Sequence, residues 1–355
     1  MSEPLVSLLV PIYNVESYLR QCLDSARNQT LEDIEVICIN DGSTDSSPDI
    51  IREYMAEDPR FRIIDKANSG YGASMNMGLE AAQGKYIAIL ESDDYFELDT
   101  LEKLYRAAES CDAQVVKANF WMYWSKPEER NEPFALVTEE MSGRLVNPQV
   151  ETEIFYLKPS IWSALYRRDF LKDNGIRFLE TPGASFQDSS FNFKVWATAT
   201  RAYYIQDEIL HYRQDNESSS VNSPSKVYCV CDEYAEMDRF LADHPEKASL
   251  KAVEEKMKYD TYMWNYERLT EPLRREFIVR FAEEFKRDTE SGFVDLTIFD
   301  PWKKDDLAVL VDDPILFHAQ RESPIEEGYA KKLVRFYRIG GPALVFRAIW
   351  HKVTR

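Results

Sequence analysis

The first hundred residues alternate between two periodicities, and that alternation leaves few architectures open. Short apolar runs at 5–10, 35–39, 62–64 and 86–90 are separated by stretches with helical spacing at 17–27, 48–55 and 71–82. Repeated strand, helix, strand units predict an α/β fold with a mainly parallel sheet and flanking helices. In such sheets ligands collect beyond the carboxyl ends of the strands. The residues that follow each strand are therefore where chemistry is expected.

Three of those ends carry polar groups: Pro11-Ile12-Tyr13-Asn14, Asn40-Asp41-Gly42-Ser43-Thr44-Asp45 and Glu91-Ser92-Asp93-Asp94. The third places acids at the tip of an apolar strand. Magnesium and manganese prefer oxygen ligands and are commonly shared with substrate phosphates, so this tip reads as a hard-cation site of nucleotide chemistry. Acids in such a place also terminate strands and cap helices. Asp41 is placed to accept hydrogen bonds from a base or ribose, or to form an ordinary turn. Asn68-Ser69-Gly70-Tyr71-Gly72 opens a helix with small residues, which predicts close approach of a ligand to the backbone. It is neither a Walker loop nor a complete dinucleotide fingerprint.

Further along, 113–123 reads as a strand, 126–137 as a charged, proline-interrupted loop, and 159–170 as ordered structure rich in aromatics. Thr181-Pro182-Gly183 marks a loop before Gln187-Asp188 and a helical run at 191–199. Asp188 is placed to cap that helix. After Asp215 the character changes to helical spacing, at Leu250, Val253 and Met257 and again at Phe277, Ile278, Phe281 and Phe285. The expected organisation is an α/β domain over 1–224, a helical region over 225–300, a connecting segment over 301–328 and a basic amphipathic tail over 329–355, interrupted at Gly340-Gly341-Pro342.

With 355 residues, 44% of them hydrophobic, the chain can bury a large core. Its net charge of −19 opposes nucleic-acid binding, which needs clustered bases. The tail 329–355 is the exception. It holds seven Lys and Arg and no acid, leaving −26 on the remainder. Bases mixed with aromatic and aliphatic residues suit either peripheral contact with an anionic membrane or packing against the acidic body. The five cysteines are odd in number and lack zinc-type spacing, which fits a reducing cytoplasm. No secretory signal is expected, and no apolar run approaches the roughly 20 residues that span a bilayer.

Taken in order, Pro-x-Tyr-Asn, Asp-Gly-Ser-Thr-Asp, Asn-x-Gly followed by Asn76-x-Gly78, and x-Ser-Asp-Asp make a pattern that no single piece makes. Over 6–221 the sequence resembles the inverting family 2 glycosyltransferases. That resemblance implies a Rossmann-like GT-A fold and transfer of a sugar from a nucleotide-sugar, by default a UDP-sugar, to a saccharide or lipid-linked acceptor. It implies a role in bacterial surface-polysaccharide assembly, in the cytoplasm and at the inner face of the membrane. It assigns Pro11, Tyr13, Asn14, Asp41 and Asn68 to the nucleotide, Asp93 to a divalent cation, Mg2+ or Mn2+, and Asp188 to proton abstraction from the acceptor. Glu91, Asp94, His211 and Arg213 are further candidates for the metal or the diphosphate, and Ser218–Ser220 for a segment closing over it.

Three departures from the family pattern stand out. Glu91 occupies the first metal-motif position where Asp is usual, Gln187 replaces the Glu before the base, and Met75 stands where many relatives place an Arg. They keep open an alternative, a catalytically degenerate nucleotide-sugar or carbohydrate-binding protein. A nucleotidyltransferase would be expected to show a glycine-rich, basic first loop, which Pro11–Asn14 is not.

Overall fold

The computed structural model describes residues 3–216, 226–322 and 329–354. The Ser218–Ser220 segment and the boundary expected near Pro224 lie outside them. The chain forms two compact units, one of residues 1–223 with 233–243, the other of residues 224–232 with 244–355.

The first unit begins β1 (Val6–Ile12), α1 (Glu16–Arg27), β2 (Ile34–Asp41), α2 (Ser47–Glu57), β3 (Phe61–Lys66), α3 (Tyr71–Ala81), β4 (Tyr86–Ile89), β5 (Tyr95–Phe96) and α4 (Thr100–Cys111). It continues with β6 (Val115–Trp124), β7 (Arg130–Phe134), β8 (Leu145–Val146), β9 (Ala164–Arg167), α5 (Arg168–Asp173), α6 (Gln187–Thr198), β10 (Ala202–Arg213) and, from residue 233 on, α7 (Cys229–Asp243). One sheet runs in the order β3-β2-β1-β4-β9-β6-β10-β5, with β7 on β6 and β8 on β10.

The half expected from the alternating periodicity, β3-β2-β1-β4, is parallel throughout. β1 is fully buried, and its Val6, Leu8 and Val10 sit opposite Ile34, Val36 and Cys38 of β2. A continuously apolar strand is what burial on both faces requires. Because β1, β2 and β4 run the same way, Ile12, Asp41 and Ile89 end on one edge, and the three polar ends meet there. The other half is mixed. β9 runs antiparallel to β4 and β6, whereas β10 runs parallel to β6.

The stretch 126–137 is not the expected loop. Arg130–Phe134 forms β7, paired antiparallel with the outer half of β6. Its first four residues are exposed, so the ladder with β6 holds it rather than a buried apolar face, and no alternation marks it in the sequence.

The second unit contains α8 (Lys251–Arg268), α9 (Leu273–Glu290), α10 (Pro301–Asp312), α11 (Pro314–Arg321) and α12 (Tyr329–Thr354). The predicted helical faces are its core: Phe277, Ile278, Phe281 and Phe285 are completely buried, and Tyr262 lies 5.2 Å from Phe281 in an edge contact. The segment expected to be a connection, 301–328, instead carries α10 and α11. Each starts with proline in its first turn, where the missing N–H has no helical partner to lose.

Candidate active site

The carboxyl edge of β1, β2 and β4 is built as a set of mutually tied loops. Asn14, at φ +49°, accepts the Thr44 amide at 2.7 Å and donates its own amide to Ser43 Oγ at 3.0 Å. Asp45 spans two helix starts, accepting from Glu16 N and Ser47 N, each at 3.0 Å. Pro11 is buried inside β1, so of the first loop only Tyr13, 54% exposed, and Asn14 are open to a ligand. Asn68 is exposed in the loop before α3.

Asp41 is buried at the end of β2, and both its oxygens are engaged by the chain. Oδ1 accepts from Ser69 N at 2.8 Å and from Lys66 Nζ, and Oδ2 accepts from Gly70 N at 3.0 Å. Asp41 therefore organises the Asn68–Gly70 loop. Lys66, which the sequence reading did not single out, neutralises it.

The small residues that open α3 do not leave a vacant approach. A Cβ on Gly72 would lie 2.1 Å from the Leu179 carbonyl oxygen, and one on Gly70 would lie 2.7 Å from that of Thr181. The chain's own 178–183 segment occupies the space expected for a ligand. Tyr71 N donates to Gly183 O at 3.0 Å. Buried Asn76 holds the same segment from the middle of α3, donating to Phe178 O at 3.0 Å and Glu180 Oε1 at 2.8 Å and accepting Phe178 N at 2.9 Å. The Gly70, Gly72 and Asn76 pattern is thus a clamp on the loop that leads to Gln187-Asp188. Replacing Gly72 by Ala should force that loop away at a cost of about 3 kcal/mol. A lower melting temperature together with lower turnover is the expected result, and wild-type values for both would contradict the clamp.

Gln187 explains its own departure from the family pattern. Its Nε2 donates to Thr181 Oγ1 at 2.8 Å and Gly183 O at 3.2 Å while its Oε1 accepts from Ser185 N. A carboxylate could not make the two donations.

Asp188 follows in the first turn of α6. Burial pushes its carboxyl up to about 6, against the pull of the Lys158 ammonium and of the Asp188 and Ser189 amides. Lys158, which the sequence reading also passed over, lies 4.9 Å above the Tyr212 ring. A half-buried carboxylate held near neutrality and flanked by a cation is suited to taking a proton.

Beyond β4 the acids crowd together. Burial first, and then Asp93 and Asp188, raise Glu91 to about 8, although Tyr71 donates to its Oε1 at 2.6 Å. Asp94 is 1% exposed. It is raised well above the usual carboxylate range, by burial and then by Asp93, and its Oδ2 has no partner among the described residues. Asp93 accepts from Asn216 Nδ2 at 2.8 Å. Carboxylates that suppress one another's ionisation, with a buried oxygen left unsatisfied, fit a divalent cation. Among the described residues they do not bring three ligand atoms within 4.8 Å of one another. A cation held there would need further ligands, which a diphosphate and water could supply.

Two other candidates have different work. His211 is buried and stacked on Tyr95 at 4.2 Å, with Nδ1 on Asn131 Oδ1 at 2.7 Å and Nε2 on Glu97 Oε1 at 2.9 Å. Both of its ring nitrogens are engaged by neighbouring side chains. Arg213 is also buried. It donates Nε to Asp93 O at 2.8 Å, Nη2 to Gln21 Oε1 at 2.6 Å and its amide to Asp94 Oδ1 at 2.8 Å, with Tyr18 and Tyr123 against its guanidinium. These bonds tie it to the Asp93-Asp94 turn.

A concavity of about 260 Å³ in the second unit is lined by Asp260, Trp264, Trp302, Lys303 and Arg321 among others and contains none of these site residues.

Residues 7–175 match the model of glycosyl transferase family 2. The chain is 35% identical over 216 residues to EpsH of Bacillus subtilis (strain 168), covering 60% of this chain and 62% of EpsH, so it spans less than two thirds of that relative. It is 30% identical over 231 residues to the glycosyltransferase GlyG of Streptococcus pneumoniae serotype 4, covering 61% of this chain and 73% of GlyG. The crystal structure of S. aureus TarS 1-349 in complex with UDP-GlcNAc superposes with a TM-score of 0.63 at 20% identity, over 94% of this chain and 90% of that one. The sheet order and that likeness give the GT-A fold followed by helices. The chain belongs to glycosyl transferase family 2.

Proposed function

We propose that the protein transfers a hexosyl group from a nucleotide-sugar to a hydroxyl of a saccharide or lipid-linked acceptor, with inversion at the anomeric carbon. The observation that carries this reading is the placement of Asp188, a carboxylate raised to about 6, in the first turn of α6 after a clamped loop and within electrostatic reach of the acids that follow β4.

In the proposed reaction Asp188 takes the acceptor hydroxyl proton as that oxygen attacks the anomeric carbon. The bond from that carbon to the diphosphate oxygen breaks, and its electron pair leaves with the nucleotide. One displacement inverts the centre. Tyr13 and Asn14 line the nucleotide side with Asn68, and Asp41 holds the Ser69 and Gly70 amides in place beside them. Asp93, with Glu91 and Asp94 behind it, would hold Mg2+ or Mn2+. That ion, when bound, neutralises the charge that develops on the leaving diphosphate. The Lys158 ammonium favours the ionised form of Asp188.

A UDP-sugar is the proposed donor, since TarS, the structural likeness above, is known in complex with UDP-GlcNAc. Surface-polysaccharide assembly in the cytoplasm, at the inner face of the cell membrane, is the proposed setting. The test is calorimetric titration of UDP, GDP, CDP and dTDP with and without manganese. Manganese-dependent binding of one of them is expected, and binding of none would favour a catalytically degenerate protein.

A further inference from the structure

The helix α12 carries an apolar face that is largely exposed. Its backbone leaves helical geometry at Gly340 (φ −139°) and Gly341 (φ +68°), so Pro342 begins a second segment. Each segment buries one side: Phe336 in the first is 3% exposed and Leu344 in the second 0%. On the opposite side of the second segment Pro342, Ala343, Phe346, Ile349 and Trp350 are all exposed. Their spacing of one, four, seven and eight residues from Pro342 is that of a single helical stripe. Phe346 is 68% and Trp350 62% exposed, and their rings stack at 6.5 Å. The first segment presents Val334 and Tyr337, 52% and 59% exposed, beside exposed Lys331 and Arg338.

Large aromatic and branched side chains left in water along one stripe mark a contact surface. The charge pattern selects the partner. A second copy docking through the same face would bring two acid-free, cationic tails together, which Coulomb repulsion opposes. An anionic lipid surface attracts the same bases at roughly 1 kcal/mol each and accepts the aromatic stripe below the headgroups. No helix of the described residues is long and apolar enough to cross a membrane, so the contact is with the surface.

We propose that α12 docks the protein on an anionic bilayer, lying in the headgroup plane with Phe346, Ile349 and Trp350 inserted and Lys331 and Arg338 on lipid phosphates. This rests on the membrane setting proposed above and names the surface that would hold the protein there.

The experiment is flotation of the full chain with vesicles of phosphatidylcholine alone and of phosphatidylcholine mixed with phosphatidylglycerol. Binding only to the mixed vesicles, weakened by added salt, is expected. Lys331→Gln with Arg338→Gln should weaken it roughly 25-fold, at about fivefold per base. Phe346→Ser with Trp350→Ser should weaken it more than about tenfold. Manganese-dependent nucleotide binding and the melting temperature, measured on the same variants, should not change, which separates this result from failure of the donor site or of folding. Failure of the wild type to float with either vesicle would overturn the proposal, as would flotation unaffected by both double variants. It would also be overturned if the aromatic variant dissolved a dimer seen by light scattering and left flotation intact.

Discussion

Replacing Asp188 by Asn is expected to lower turnover by about 10²–10⁴-fold, the usual worth of a positioned general base, while nucleotide affinity stays at the wild-type value. Asn keeps the shape and accepting oxygen of Asp and cannot take a proton. The clamp from Asn76 to Phe178 and Glu180 and the Gln187 bonds to Thr181 and Gly183 do not involve the Asp188 side chain, so the loop should stay in place. The same residue sets the pH profile. A base must be ionised to act, and burial holds this one at about 6. Turnover should therefore fall about tenfold per unit as pH drops below about 6 and level off above it, and the variant should lose that acid limb. Wild-type turnover in Asp188→Asn, or an unchanged acid limb, would remove Asp188 from the mechanism.

The second large effect is expected at Asp93. Asp93→Ala should reduce manganese-dependent nucleotide affinity roughly 100-fold or more, and turnover with it, because it removes the proposed metal ligand of the acidic cluster. The sign of its effect on the unliganded protein separates this from unfolding. Asp93 pushes both Glu91 and Asp94 toward protonation, so its loss relieves repulsion at the cost of one hydrogen bond from Asn216. The melting temperature without metal or nucleotide should thus hold or rise while binding is lost. A variant that binds nucleotide and manganese normally would place the cation elsewhere.

Much of this molecule is legible in the sequence wherever the information is local. The period change between strand and helix, and the polar residues after β1, β2 and β4, locate the half-sheet and its reactive edge from the first hundred residues. What could not be read is set by partners far along the chain. His211 carries the chemistry of a metal ligand, yet Asn131 and Glu97 take its nitrogens. Arg213 has the charge to meet a diphosphate, and is spent on Asp93 O and Gln21. Gly72 is visibly small, but only the fold shows that the backbone pressed against it is Leu179. β7 escaped notice because four of its five residues face water and the strand exists through pairing alone.

The clamp at the start of α3 has a consequence for any attempt to redesign this enzyme. Seven consecutive residues, Gly70 to Asn76, meet Asp41 through the Gly70 amide at one end and hold the approach to Asp188 at the other. In the proposed mechanism, donor choice and proton abstraction are therefore joined by about two turns of helix. A graft that swaps the nucleotide-facing loops to change the sugar would have to carry 178–188 with them, or the transplanted donor site would arrive without a correctly aimed base.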